Sequence, residues 1–363
     1  MTSEPRPLAF KPDYPEAKKR IDAWWDQQVL DRALVYLRYP RPDEECYTPP
    51  ERTYDSDRAR WLDLPARCER LHEQMANWVH YADSIPVATC AIGPATFAAV
   101  LGCPLEFGPH TTWTEPMLTG WDAQAVRQLA LDPANEYYRV LVELHRMAFE
   151  RGRGKYLVGL APQLGGGDTL AAIRGSEAFC MDLIEHADEV PELVDHLAEL
   201  QCQWYDVLWQ AAGGQEQPVG GWLGMIADGR FYIPQNDFSA MVSPAMFSRF
   251  LLGGTVLECR HMDRCIYHLD GLQALNHLDA ILEVPEIDAV QWGPPPQHWD
   301  WHEWVEVYRR IQAAGKSFIL YCKPEDLREV TELFRPEGAW LHVDALADKE
   351  SADAALEIIR RWK

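Results

Sequence analysis

The 363-residue chain carries 34 basic and 56 acidic side chains, a formal net charge of −22, and 47% hydrophobic residues. The hydrophobic content favours a folded chain with a large core over a disordered one, and the negative charge disfavours nucleic acid, anionic membranes and strongly anionic substrates as partners. Nine cysteines lack the regular spacing of a small secreted scaffold and indicate reduced thiols. Because the N-terminus has charges and prolines where a signal peptide needs an apolar stretch, the sequence predicts a cytoplasmic protein without membrane segments.

Residues 1–80 are predicted to form an N-terminal helical extension that packs on a domain formed by residues 81–363. In that domain, short β-branched or aromatic runs alternate with segments of helical period, an order typical of βα units. The predicted strands are residues 87–92, 156–160, 222–226, 231–235, 265–267, 287–292, 317–321 and 339–343. Eight such strands alternating with helices predict an α/β fold, specifically a (β/α)8 TIM barrel. A doubly wound sheet is the alternative, but no predicted strand is followed by a GxGxxG fingerprint.

The candidate site residues are the polar side chains that follow the predicted strands, because a barrel of this kind places its chemistry at the carboxyl ends of the strands. They are Gln163, Asp168, Gln235, Asn236, Asp237, His268, Asp270, Gln291, Trp292, Cys322, His342 and Asp344. Some have a structural explanation instead. Asp270 is placed to cap the following helix, Cys322 is a typical buried thiol, and Trp292 suits a core.

Two kinds of chemistry fit these residues. His268, Asp270 and Cys322 offer imidazole, carboxylate and thiolate ligands, which suit a catalytic zinc ion, and Asp237 is an alternative oxygen ligand. In the other interpretation Asp237 and Asp270 are paired carboxylates and His268 carries protons, as a hydrolase or lyase requires. The spacing of the residues leaves both open.

Three segments resemble the uroporphyrinogen decarboxylase superfamily, and specifically its branch near the corrinoid-dependent methyltransferases. They are HLDGLQALNHLDAILEVPEIDAVQWGPPP at 268–296, QNDFSAMVSPAMFSRF at 235–250 and LGGGDTLAAIRGSEAFCMDL at 164–183. The resemblance covers about residues 80–345 and implies a TIM barrel. In the methyltransferase branch, a His-x-Cys pair and a later Cys hold zinc; His268 matches the His, Asp270 stands at the first Cys, and Cys322 corresponds to the second.

The resemblance implies a zinc-dependent enzyme that transfers a methyl group between a small substrate and a corrinoid protein or a thiol acceptor, and a homodimer. Porphyrinogen decarboxylation is not expected, because DRALVYLRYPRPDEE lacks the N-terminal RQAGR motif of true decarboxylases. The expected catalytic residues are Asp237, His268 and Asp270; the expected substrate-binding residues are Gln163, Gln235, Asn236, Gln291 and Trp292. The alternatives are a metal-independent hydrolase or lyase acting on a neutral, sugar-like ligand, and a non-catalytic binding protein.

Overall fold

The computed structural model describes residues 5–94, 96–161 and 165–362. The strands are β1 (Leu34–Pro40), β2 (Trp78–Ala82), β3 (Val87–Thr89), β4 (Leu105–Phe107), β5 (Thr112–Thr114), β6 (Leu157–Gly159), β7 (Val219–Gly220), β8 (Ile226–Ala227), β9 (Phe231–Tyr232), β10 (Arg264–Asp270), β11 (Ala289–Gly293), β12 (Ser317–Cys322) and β13 (Ala339–Val343). The helices of the first half are α1 (Tyr14–Trp25), α2 (Asp57–Leu62), α3 (Leu64–Ala76), α4 (Thr96–Val100), α5 (Ala123–Arg127), α6 (Glu136–Gly152), α7 (Gly166–Arg174) and α8 (Ser176–Glu185). Those of the second half are α9 (Val190–Ala211), α10 (Pro244–Met246), α11 (Leu252–His261), α12 (Gly271–Ala274), α13 (Leu278–Leu282), α14 (Val305–Ala313), α15 (Leu327–Leu333) and α16 (Lys349–Ile359).

Seven strands form the main sheet, in the order β2-β1-β13-β12-β11-β10-β9. Every neighbouring pair in it is parallel except β1 and β2. A second sheet has the order β3-β6-β7-β8, and β4 pairs with β5. Parallel neighbours need crossover connections, which the helices between successive strands supply.

Two apolar clusters lie on opposite faces of the main sheet. The inner cluster joins residues of both larger sheets, such as Ile266 and Ile319 with Val87 and Leu157, so the two sheets enclose a common interior. The outer cluster holds strand side chains that alternate with those of the inner cluster, such as Tyr267 next to Ile266 in β10. It also includes the buried faces of the helices. Because successive side chains of a strand point to opposite faces, the strands of the main sheet other than β2 contribute to both clusters.

The predicted α/β fold with a parallel sheet is confirmed, whereas the strands in the described ranges form separate sheets and no continuous hydrogen-bonded ring. The prediction that residues 1–80 are a helical extension is wrong for β1, which lies in the main sheet between β2 and β13. β10 is also longer than predicted and contains His268 and Asp270 within the strand. Across the described parts of the chain, no helix combines the length and apolarity needed to cross a bilayer.

Candidate active site

The carboxyl end of β10 brings two of the predicted site residues to one face of the main sheet. His268 and Asp270 are two positions apart, so they project on the same side as Ile266 of the inner cluster. The segment after β9 runs alongside, because the His268 backbone N–H donates to the carbonyl of Pro234 at 2.9 Å. Ligand atoms of Asp237, His268 and Asp270 all lie within 4.8 Å of one another. These three residues are called the carboxylate–histidine cluster below.

Gln291, on the neighbouring strand β11, fixes the orientation of the His268 ring. Its Oε1 accepts a hydrogen bond from His268 Nδ1, and its Nε2 donates to the backbone carbonyl of Trp292 at 3.1 Å. Because the second bond identifies the amide nitrogen, Nδ1 carries the proton of the neutral imidazole and Nε2 keeps its lone pair. The Trp222 ring packs edge-on against this imidazole, with ring centroids 5.0 Å apart.

The Asp237 carboxylate is held by a neighbouring amide and perturbed by the rest of the cluster. Gln235 Nε2 donates to its Oδ2 at 3.0 Å. Although solvent reaches the side chain, desolvation by the surrounding protein raises the pKa of Asp237. A positive charge on His268 lowers that pKa, the charge of Asp270 raises it, and the Gln235 hydrogen bond lowers it. Asp237 therefore accepts a proton more readily than an ordinary aspartate does.

Two buried carboxyl groups support this region, Asp168 in α7 and Glu258 in α11. Asp168 accepts the backbone N–H groups of Asp237 at 2.9 Å and Phe238 at 2.7 Å, which holds the Asp237 loop in place. Burial, and then the charge of Asp237, raise the pKa of Asp168. Glu258 on α11 is 1% exposed and accepts the Gly166 backbone N–H at 2.8 Å. Burial raises the pKa of Glu258 to about 8 although that hydrogen bond opposes the shift, so the carboxyl group is mainly protonated at neutral pH.

Gly293 provides the space that the cluster occupies. It lies opposite Asp270 in the register of β10 and β11. A Cβ atom at Gly293 would lie 3.0 Å from Asp270 Oδ1 and 3.2 Å from His268 Cε1, which is tighter than ordinary van der Waals contact. Asp270 itself precedes α12 but makes no side-chain capping hydrogen bond, so the helix-cap explanation of this residue is wrong.

A cavity of about 530 Å³ lies beside the cluster, also at the carboxyl ends of the strands. Its walls include Tyr36, Arg38, Trp78, Trp222, Tyr321 and His342. Trp222 connects the two features, since the same ring lines the cavity and contacts His268. The volume is typical of small-molecule sites. A larger depression of about 680 Å³ lies between α6 and α9 on the outer helical surface, away from the strand ends.

Comparisons with known proteins identify the architecture. No protein-family model and no curated protein match this sequence. Among solved structures, the chain is similar to one described as a methyltransferase from Methanosarcina mazei, with a TM-score of 0.62, 9% sequence identity and coverage of 95% of this chain and 98% of that chain. The two chains share a fold. Since one fold serves many reactions, the likeness to the Methanosarcina methyltransferase establishes architecture and leaves the chemistry to the residues of this chain.

Two predicted site residues face away from the site. Cys322 shares its face of β12 with Leu320, so its side chain joins the outer cluster under the helices, and burial raises the pKa of its thiol. Among the described residues, Cys322 belongs to no group of metal ligands with His268 and Asp270. The Trp292 ring is likewise in the outer cluster and packs against Trp304, with centroids 5.1 Å apart. The predictions of a zinc ligand at Cys322 and a substrate contact at Trp292 are wrong for the same reason. Side chains alternate along a strand, and both of these residues point to the outer face.

Other predicted residues divide between the site and its surroundings. Gln235 and Gln291 both contact the cluster. Asn236 is buried, and its side-chain amide nitrogen lies 2.7 Å from the point where a Cβ of Gly167 would be, so it packs on α7. Gln163 lies outside the described residues.

Two residues of this region do not follow from the sequence pattern. Glu258 belongs to the segment ECRHMDR, whose charges are typical of an exposed helix, although its carboxyl group is buried. Arg38 lies on β1, in the part of the chain for which no strand is predicted, although the apolar run LVYL before it is a usable strand signal.

The donor set of the cluster fits a divalent metal ion. One imidazole nitrogen and two carboxylates are ligands that zinc accepts, and three protein ligands leave a fourth position for a substrate or water. Two ligand atoms of a tetrahedral zinc ion lie roughly 3.4 Å apart. The donor atoms of the cluster lie within 4.8 Å of one another, so small side-chain rotations would bring them to that spacing. His268 would bind through Nε2, because Gln291 engages Nδ1.

Proposed function

We propose that the chain is a methyltransferase-type enzyme that moves a methyl group between a small molecule and an acceptor, using a metal ion held by the carboxylate–histidine cluster. The convergence of Asp237 from one loop with His268 and Asp270 from β10, beside a cavity of small-molecule size, carries the proposal. The shared fold with the Methanosarcina methyltransferase supports it. We also propose that the chain belongs to the uroporphyrinogen decarboxylase superfamily and that its two larger sheets are arranged as a TIM-like barrel.

The proposed metal is zinc, with Asp237, His268 and Asp270 as ligands and without Cys322. When bound, such an ion supplies Lewis-acid polarisation of the group it contacts or lowers the pKa of a coordinated nucleophile. Two carboxylates and an imidazole form a harder ligand set than one that contains thiolates, which favours an oxygen- or nitrogen-bearing substrate over a thiol.

The protein's own groups position this chemistry. Gln291 fixes the His268 tautomer, and Gln235 with Asp168 fixes Asp237. Because the pKa of Asp237 is raised, acidification protonates this ligand at a higher pH than an ordinary aspartate would require. Metal affinity should therefore fall early as the pH is lowered.

The methyl acceptor or donor is proposed to be a corrinoid protein or a thiol, with the reaction in the cytoplasm and the enzyme a homodimer. These elements follow the superfamily resemblance. The strongly negative net charge remains unfavourable for nucleic acid as a partner.

Elemental analysis tests the metal site. Wild-type protein, His268→Ala and Asp237→Asn are reconstituted with zinc, desalted and measured for bound zinc. We expect one tightly bound equivalent in the wild type and its loss in both variants. The matched control is His302→Ala, because His302 contacts Asp300 and Glu329 in an exposed histidine–carboxylate group elsewhere on the surface. Equal zinc content in His268→Ala and the wild type would remove the proposal.

A second candidate is metal-independent acid–base catalysis by Asp237 and Asp270. The raised pKa of Asp237 beside a second carboxylate favours it, since such a pair can hold one proton between its members. The two candidates are separated by chelation: turnover that persists after zinc is removed, with a bell-shaped pH profile abolished in Asp237→Asn, would select the acid–base enzyme.

A further inference from the structure

Arg38 lies in the wall of the 530 Å³ cavity and brings a positive charge to it. Its guanidinium lies over the ring of Trp78, 4.5 Å from the centroid, and 5.8 Å from that of Tyr36. In the described part of the chain, no carboxylate lies within 4.0 Å of it, although most other arginines are ion-paired. The two rings thus lie against the exposed guanidinium group, whose planar fork of N–H donors matches a carboxylate.

Several aromatic rings share the remaining wall with aliphatic side chains such as Leu223 and Leu346. The His342 ring stacks on Tyr36, with centroids 4.5 Å apart and an angle of 8° between the planes, and the edge of Tyr321 contacts it at 4.9 Å. His342 is 8% exposed, and its Nε2 makes no hydrogen bond within the described residues. Burial, and then the nearby Arg38 charge, lower the pKa of His342 to about 3, so the ring is neutral and adds no second positive charge. Flat walls of this kind suit a planar ligand.

The charges of the cavity limit the ligand to one negative group. Asp344 also lines the cavity; burial raises the pKa of its carboxyl group, and the charge of Arg38 opposes that rise. Among the described residues, Asp344 forms no ion pair with Arg38 or another cation. A second negative group on the ligand would meet Asp344 and the overall charge of −22. One anchored carboxylate is therefore compatible with the cavity, whereas a dianion is not.

We propose that this cavity binds a planar monocarboxylate, aromatic or conjugated, whose carboxylate is held by Arg38 and whose plane lies among Tyr36, Trp78 and Trp222. The proposal of a binding site depends only on the residues of the cavity. Its assignment as the substrate site rests on the proposed function and on Trp222, which lines the cavity and contacts His268. The substrate of the proposed enzyme is then a planar monocarboxylate.

Quenching of tryptophan fluorescence by benzoate and cinnamate tests the site, because Trp78, Trp222 and Trp299 all line the cavity. For ligands of this size we expect saturable binding with a Kd of about 1 mM. Benzamide, which has the same shape without the charge, should bind at least about tenfold more weakly, since the lost interaction is a charge-assisted hydrogen bond. Terephthalate, a planar dicarboxylate, should also bind more weakly than benzoate.

Arg38→Gln should weaken benzoate binding by about tenfold or more, and Asp344→Asn should strengthen it by removing a like charge. The matched control is Arg249→Gln, because Arg249 also lies over an aromatic ring, Phe250 at 4.8 Å, but outside the cavity. Far-ultraviolet circular dichroism verifies that each variant is folded. Absence of saturable binding of both probes, equal binding of benzamide, or unchanged binding in Arg38→Gln would overturn the proposal.

His268→Ala separates this site from the metal proposal. If it loses zinc and still binds benzoate, both proposals stand. If zinc is bound as expected but benzoate binding does not depend on Arg38, only the carboxylate site fails. If no protein form binds zinc while benzoate binding depends on Arg38, only the metal proposal fails.

Discussion

Replacing the buried Glu258 by glutamine should change how the stability of the protein depends on pH. The pKa of Glu258 in the folded protein is about 8, whereas glutamate in an unfolded chain titrates near about 4.3. Between these values the folded state keeps a proton that the unfolded state has released. The stabilisation is therefore complete at low pH and is lost as the pH rises towards the folded-state pKa.

The magnitude follows from the number of protons released. One proton lost on unfolding lowers the free energy of unfolding by about 1.4 kcal/mol per pH unit, or roughly 3 kcal/mol between about pH 5 and pH 7. Glu258→Gln retains an oxygen that can accept the Gly166 N–H bond but cannot ionise. The difference in stability between variant and wild type should therefore shift in favour of the variant by this amount over the same interval.

Urea denaturation of both proteins at several pH values measures the difference, in which the titration of all other groups cancels. Glu185→Gln is the matched control, because it makes the same chemical change at an exposed position at the end of α8. Parallel stability curves for Glu258→Gln and the wild type would refute the reasoning that this carboxyl group is protonated inside the fold.

Substitutions at three further positions test the geometry of the carboxylate–histidine cluster. Gly293→Ala should weaken zinc binding roughly tenfold by crowding the ligands, measured by competition with a chromophoric chelator, whereas Gly120→Ala, where nothing lies within 4 Å of the added methyl group, should bind like the wild type. Gln291→Leu should weaken zinc binding about 10- to 100-fold by freeing the His268 ring, and Gln291→Glu should restore it; equal affinity in all three proteins would contradict the tautomer argument. Cys322→Ala should lower the free energy of unfolding by about 1–2 kcal/mol, measured by thermal unfolding, and leave the amount of bound zinc unchanged. Loss of zinc from this variant would show that the thiol is a metal ligand.

A strand sequence indicates which side chains share a face only where polar and apolar residues alternate. In β10, polar His268 and Asp270 alternate with Tyr267 and Leu269, so the pattern alone indicates a shared face. The run SFILYC of β12 is apolar on both faces, because a parallel strand covered on both sides is hydrophobic throughout. Nothing in that run shows which face Cys322 occupies. The sequence therefore could not indicate that its thiol lies in the outer cluster, away from His268.

The approach of Asp237 to His268 is a second kind of feature that sequence does not specify. It depends on the path of the loop after β9, which is fixed by backbone hydrogen bonds to β10 and to the buried Asp168 carboxylate. Such contacts join residues about 30 to 70 positions apart, and they arise from tertiary packing rather than from local propensity. The sequence could name the acid as a candidate, whereas its position relative to β10 required the folded chain.

The pairing of β1 with β13 has a consequence for how the chain folds. Residues 34–40 obtain one of their two neighbouring strands from residues 339–343, and the Trp24 indole N–H donates to Gly338 at 3.0 Å. Contacts across some 300 positions raise the contact order and slow folding. During synthesis, one edge of β1 stays open until residues 339–343 have left the ribosome, and an open strand edge is prone to aggregation. Recombinant production should accordingly benefit from slow expression and from chaperones that cover such edges.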